Sequence, residues 1–200
     1  MREAILHLRQ SDPVLSGIID RVGDYRIQFR EPDFETLAKS IIYQQLSGRV
    51  ANVIFDRFTA AAGGRLTPEN VLKLRPARMR ALGLSTQKTA YIRDLACLAR
   101  DGAIVFDDLH ALPDDQVIER LTQVKGIGVW TVHMFLIFAL RRLDVLPVGD
   151  LGIRNAIRKA YELPAVPSPQ EVEELGRRWR PYCTVASWYL WRSVEPNANL

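Results

Sequence analysis

The sequence predicts an all-α fold built from many short helices, and three observations carry the prediction. Apolar residues recur at helical spacing in almost every segment. Helix start and stop signals punctuate the chain at short intervals. Strand patterns are scarce: only Tyr25-Arg26-Ile27-Gln28-Phe29 alternates, and a single extended segment makes no sheet.

Taken in order, the first clear helix runs from Asp33 to Ile42, where Phe34, Leu37, Ala38, Ile41 and Ile42 form one apolar stripe. A second passes through Val50, Val53, Ile54, Phe55 and Phe58 and stops at Gly63-Gly64. Thr67-Pro68 opens a short helix, with Thr as N-cap and Pro in the first turn. Ser85-Thr86 starts a longer one through Tyr91, Ile92, Leu95 and Leu98, which ends at Asp101-Gly102. Pro113-Asp114-Asp115 begins a helix carrying Val117, Ile118 and Leu121. The segment from Val129 to Arg142 is apolar nearly all round, the mark of a buried central helix. Helices over Asp150 to Ala160, Gln170 to Trp179 and Thr184 to Val194 complete the series, and Pro164 to Pro169 reads as a surface connection.

Composition bounds the function. The chain has 200 residues, 48% hydrophobic and 25% charged, enough for one ordinary domain or two small lobes sharing a cleft. That apolar content excludes disorder, and 12 Gly with 11 Pro excludes collagen-like sequence. Two cysteines, Cys97 and Cys183, are too few for a disulfide framework, a four-cysteine zinc site or a Cys-ligated iron–sulfur cluster. A reduced, cytoplasmic setting follows. The longest apolar stretch, Val129 to Leu140, is too short to span a bilayer, and the N-terminus lacks an export signal, so no membrane is expected. A formal net charge of +4 permits nucleic acid as a partner without demanding it.

The most specific feature is Leu121-Thr122-Gln123-Val124-Lys125-Gly126-Ile127-Gly128-Val129-Trp130-Thr131. One helix ends at Thr122 and the next begins at Val129, across a turn built on two glycines. Such a turn is tight and lets another chain approach closely. The start of the second helix presents unpaired N–H groups and a positive dipole end, a phosphate site indifferent to base. Lys125 can add a salt-sensitive phosphate contact. By itself the Gly-x-Gly pair favours a plain Gly-capped connection between two helices. It is not a dinucleotide fingerprint, because no strand precedes it and the third glycine is missing.

Downstream, Asp150 follows Gly149 and precedes a helical run. Its simplest role is N-cap; a catalytic carboxylate is the second reading, and the two are compatible because a cap keeps a carboxylate ionised.

Together these segments resemble the helix-hairpin-helix DNA glycosylase superfamily, in which a hairpin, a buried helix and a Pro-x-x-Asp follow one another at this spacing. Ile42-Tyr43-Gln44-Gln45-Leu46-Ser47 is similar to the family's Gln-Gln-Ile-Ser segment, and Leu82 to Ile92 to its Leu-Gly-x-Ser-x-x-Lys-x-x-Tyr-Ile segment. With Tyr182 to Trp191, the resemblance covers most of residues 33 to 192, and it is strongest to the alkylbase branch, bacterial DNA-3-methyladenine glycosylase II. It implies two helical lobes around a cleft, one over 33–143 with the hairpin at 121–131, the other from 1–32 plus 144–200. It also implies a nucleoid-associated bacterial enzyme, acting as a monomer on double-stranded DNA that contains alkylated bases.

The resemblance assigns roles residue by residue. Asp150 is the catalytic carboxylate. Lys125, Gly126, Ile127, Gly128 and Trp130 meet the DNA phosphate. The carbonyls of Thr122, Val124 and Ile127 hold a monovalent cation, Na+ or K+; no other cofactor is required. Gln45, with Gln44 beside it, fills the stack where a base has flipped out. Bifunctional branches carry a Schiff-base lysine where this chain has Trp130, so strand cleavage is not expected. The Trp130 indole suits a cationic alkylated base by stacking and cation–π contact. Trp191 stands where the family has a second pocket Trp, and Met134 replaces a frequent pocket Tyr. Only about thirty residues precede the first matching helix, so the N-terminal β domain of longer relatives is expected to be absent. That and Met134 predict a wider range of alkylated bases.

Several residues keep blander readings. Ser47 is most simply an N-cap. Arg75, Arg78, Arg80, Lys88 and Arg93 are either a solvated face or DNA backbone contacts. Trp179 and Trp188 are read as core or surface, and His133 as a satisfied residue beside the buried helix. The alternative function is a non-catalytic helix-hairpin-helix protein that binds DNA lesions or structures.

Overall fold

The computed structural model describes residues 1–195, and among them the chain is all-α, with twelve α-helices, two short 3-10 helices and no strand. It divides into two compact units: Met1–Phe29 with the chain from Leu136 onward, and Arg30–Phe135. The division falls inside one helix, several residues before position 143. No helix among the described residues is long and apolar enough to cross a membrane.

The first unit opens with α1 (Arg2–Ser11) and α2 (Pro13–Val22), two helices the sequence patterns above did not assign. Asp12 caps α2: its Oδ1 accepts from the Val14 and Leu15 N–H groups at 3.0 and 3.1 Å, and Pro13 sits in the first turn. The Asp12 carboxylate is fully buried, and its Oδ2 accepts from the Tyr161 hydroxyl and, at 2.9 Å, from Trp179 Nε1. Burial first, and then this hydrogen bond, push the Tyr161 phenol above its ordinary range, so it remains a donor. Residues 25–29 form neither helix nor strand; Tyr25 packs edge-on against Trp188, and the Arg141 guanidinium lies 5.0 Å over the Phe29 ring.

The second unit holds α3 (Phe34–Tyr43), α4 (Gly48–Ala61), α5 (Pro68–Lys73), α6 (Pro76–Ala81), α7 (Thr86–Arg100) and α8 (Asp114–Thr122). Thr67 and Ser85 cap α5 and α7 through side-chain oxygens, as the start signals predict, and Asp33, expected as the first residue of its helix, is instead the N-cap of α3. Ser47 takes the N-cap position of α4, but its hydroxyl makes no cap bond. Helix α7 packs against α3, α5 and α6, and Phe34, Phe106 and Phe135 meet edge-on in sequence.

Helix α9 (Val129–Phe138) is four residues shorter than its apolar run suggests. Ala139 and Leu140 stay buried, but the backbone leaves the helix, Arg141 adopts φ +58°, and the Arg142 N–H turns back to the Leu136 carbonyl. In the first unit, α10 (Leu151–Ala160), α11 (Pro169–Gly176) and α12 (Cys183–Val194) follow. The expected helix over Gln170 to Trp179 ends at Gly176, and Arg177–Trp179 tightens into a 3-10 turn. Helix α12 is buried from Cys183 to Trp191 and packs against α2 and α10. Trp179 and Trp188 both belong to this core.

Candidate active site

The hairpin between α8 and α9 is anchored from below by Leu121, Val124 and Ile127, all buried. The Thr122 hydroxyl bonds back to the Ile118 carbonyl at 2.7 Å, ending α8. Gly126 then takes φ +84°, and a Cβ there would stand 2.1 Å from Tyr91 Cδ2. Both its backbone angle and the ring beneath it demand glycine. We expect Gly126→Ala to cost about 2 kcal/mol or more, read as a shifted urea midpoint. Gly128 has no positive φ, and a Cβ there meets nothing within 4 Å, so Gly128→Ala is expected to leave stability within about 0.5 kcal/mol.

Past this turn the backbone offers donors. Among the described residues, the N–H groups of Gly126, Gly128 and Val129 donate no backbone hydrogen bond, and all three residues are exposed. They sit at or just before the positive end of α9. The Lys125 N–H is already taken by Asp94 Oδ2 at 2.9 Å, and its Nζ lies 3.7 Å from Asp94 Oδ1 on a largely exposed side chain. The Thr122 and Ile127 carbonyls accept no backbone hydrogen bond among the described residues, and that of Val124 accepts one from Ile127. These hard oxygen donors therefore keep lone pairs that could hold a cation.

Trp130, in the first turn of α9, is 50% exposed, whereas the helix beyond it is buried at Val132 and from Phe135 onward. Met134 follows one turn later at a half-buried position. Burial holds the His133 imidazole below its ordinary value, opposed by the Asp114 carboxylate.

In the first unit, Asp150 is the N-cap of α10 and 9% exposed. Its Oδ1 accepts from the Ile153 N–H at 2.8 Å and from Trp191 Nε1 at 2.9 Å. Trp191, 8% exposed, stacks on Phe138 with centroids 6.0 Å apart. Gly152 makes room for this pair: a Cβ there would lie 3.0 Å from Asp150 Oδ1 and 3.2 Å from Trp191 Cδ1. The carboxylate is thus fixed by a backbone amide and an indole at the N-terminus of α10. Trp191, assigned to a base pocket by resemblance, here holds the carboxylate.

The Gln44-Gln45 segment lies in the second unit. Gln44 Nε2 donates to the Gly126 carbonyl at 2.8 Å, and Gln45 is exposed with φ +58°. Two members of the basic run have structural partners. Lys88 Nζ donates to the Ile42 and Gln44 carbonyls at 2.7 and 2.6 Å, and Arg93 Nη1 to the Leu74 carbonyl at 3.0 Å. Partial burial pulls the Lys88 ammonium below its ordinary value. Charge pattern alone does not reveal these caps, because their acceptors lie 46 and 19 positions away.

Comparison with known proteins places this geometry. Residues 38–181 match the family described as HhH-GPD superfamily base excision DNA repair protein. DNA-3-methyladenine glycosylase 1 of Schizosaccharomyces pombe is 37% identical, over 98% of this chain and 88% of that protein. The structure of the Schizosaccharomyces pombe 3-methyladenine DNA glycosylase in complex with abasic DNA superposes with a TM-score of 0.85 at 36% identity, covering 99% of this chain and 98% of that one. A DNA-3-methyladenine glycosidase from Bacillus halodurans gives 0.85 at 34% identity, covering 96% and 90%.

Proposed function

The chain belongs to the HhH-GPD superfamily of base excision DNA repair proteins, and from that premise we propose that it hydrolytically excises alkylated bases from duplex DNA. The observation that carries this reading is Asp150, a nearly buried carboxylate whose Oδ1 is held by Ile153 N–H and Trp191 Nε1. A carboxylate fixed in this way can stabilise an oxocarbenium-like sugar and orient the attacking water without reorganising.

The remaining roles follow from chemistry. Bases alkylated at adenine N3 or guanine N7 are cationic and already good leaving groups, so no strong general acid is needed. The half-exposed Trp130 indole offers them a π face, with Met134 one turn along the same helix. Weakly paired lesions leave the duplex most cheaply, and Gln45 would fill the space left behind. The N–H groups of Gly126, Gly128 and the α9 N-terminus would take a phosphate, with Lys125 beside them. The Thr122, Val124 and Ile127 carbonyls would hold a Na+ or K+, whose positive charge would favour an anion at the hairpin. Trp130 provides no amine, so the reaction is hydrolysis without strand cleavage.

The test is to incubate the protein with methylated duplex DNA and identify the released base by mass spectrometry. We expect 3-methyladenine and 7-methylguanine, and no DNA adduct on borohydride treatment. Tight binding with no base released would instead indicate a non-catalytic lesion-binding protein. Gly128→Ala, neutral for the fold, is expected to weaken DNA binding about tenfold by blocking the phosphate's approach. Unchanged affinity would remove Gly128 from the interface.

A further inference from the structure

Three side-chain and backbone observations in the second unit converge on residues 42–45. Helix α3 ends at Tyr43 with no basic residue in its own last turn. Its terminal carbonyls, orphaned by geometry, are met from α7: Lys88 Nζ bonds the Ile42 carbonyl at 2.7 Å and the Gln44 carbonyl at 2.6 Å. Gln44 spends its side chain on the Gly126 carbonyl, 2.8 Å away in the hairpin. Between these two anchors Gln45 stands exposed at φ +58°, a conformation that a non-glycine residue keeps only where its surroundings hold it.

We infer that Lys88 and Gln44 are positioning residues that set Gln45 in its left-handed conformation before DNA arrives. They tie the segment that enters the base stack to the hairpin that holds the phosphate. The consequence separates the two glutamines. Gln44 is committed to the hairpin, and Gln45 alone fills the vacated space. Lys88 reaches no base itself; it acts through Gln45. This inference rests on the functional reading above.

The test needs no chemistry. Affinity is measured for a duplex carrying an abasic-site analogue and for an undamaged duplex, with wild type, Lys88→Met, Gln45→Ala and the double variant. Lys88→Met is expected to bind the abasic duplex about tenfold more weakly, and the undamaged duplex within about twofold of wild type. The double variant should bind the abasic duplex no more weakly than Gln45→Ala, because Lys88 then has nothing to position. Equal weakening on both duplexes, or additive losses, would overturn the inference. Thermal melting monitors folding; if Lys88→Met does not fold, Gln44→Leu, which cuts only the link to Gly126, is expected to show the same selective loss. Wild-type preference for the abasic duplex without base release would overturn the catalytic reading and leave this inference standing. Base release with no effect of these variants would do the reverse.

Discussion

Asp150→Asn is expected to bind alkylated duplex DNA nearly as well as wild type while releasing base about 10²- to 10⁴-fold more slowly. The substitution is informative because it separates the two functions of one side chain. As a cap, Asn serves almost as well as Asp. Ile153 N–H and Trp191 Nε1 both donate to Oδ1. An amide oxygen can accept both bonds and the amide NH2 can accept neither, so the substituted side chain has one sensible orientation and the α10 start is preserved. What disappears is the negative charge. Stability within about 0.5 kcal/mol of wild type, together with the rate loss, is the expected pair of results. Wild-type excision by the variant would remove Asp150 from the chemistry.

The second large effect is on the fold. Asp12→Ala is expected to destabilise the protein by about 3–5 kcal/mol, a sizeable share of the roughly 5–15 kcal/mol typical of a domain. The carboxylate has no solvent exposure, and it receives two backbone N–H groups, the Tyr161 phenol and the Trp179 indole. Alanine would strand all four donors and leave a small void among them. Asp12→Asn should cost less, about 1–3 kcal/mol, since its oxygen can still cap α2 while its NH2 faces the indole N–H. Urea unfolding monitored by circular dichroism gives both values. A loss below about 1 kcal/mol for Asp12→Ala would mean that water or neighbouring groups replace the carboxylate.

Local features of this protein were legible in the sequence, and non-local ones were not. The helix starts at Thr67, Ser85 and Asp150 could be read because an N-cap bond spans only three residues. The hairpin could be read because its glycines and its buried Leu121, Val124 and Ile127 lie close together in the chain. Even some missed elements had local signals: Asp12-Pro13 and Arg75-Pro76 each place Pro in a first turn, opening α2 and α6. The true end of α9 was hidden because Ala139 and Leu140 remain apolar and buried after the helix stops. Tertiary burial, not helix periodicity, keeps them apolar. At the candidate site, Asp150 was visible and its partner's task was not. The bond from Trp191 spans 41 positions, and those from Tyr161 and Trp179 to Asp12 span 149 and 167. Nothing in a local window distinguishes such a tryptophan from one that only packs.

The Asp12 cluster has a consequence for how the chain is made. The unit it holds together draws on both ends of the sequence, whereas Arg30–Phe135 is continuous. On the ribosome, the continuous unit can complete first, reversing the usual N-terminal-first order. Helices α1 and α2 emerge early but must wait for Tyr161, Trp179 and α12, an interval of about 10–30 s at ordinary synthesis rates of ~5–20 residues per second. During that interval Leu8, Leu15, Ile18 and Ile19, all buried in the finished protein, lack the cover of α12 and of the Arg177–Trp179 turn. That apolar surface of α1 and α2 is what a chaperone would hold until α12 is made.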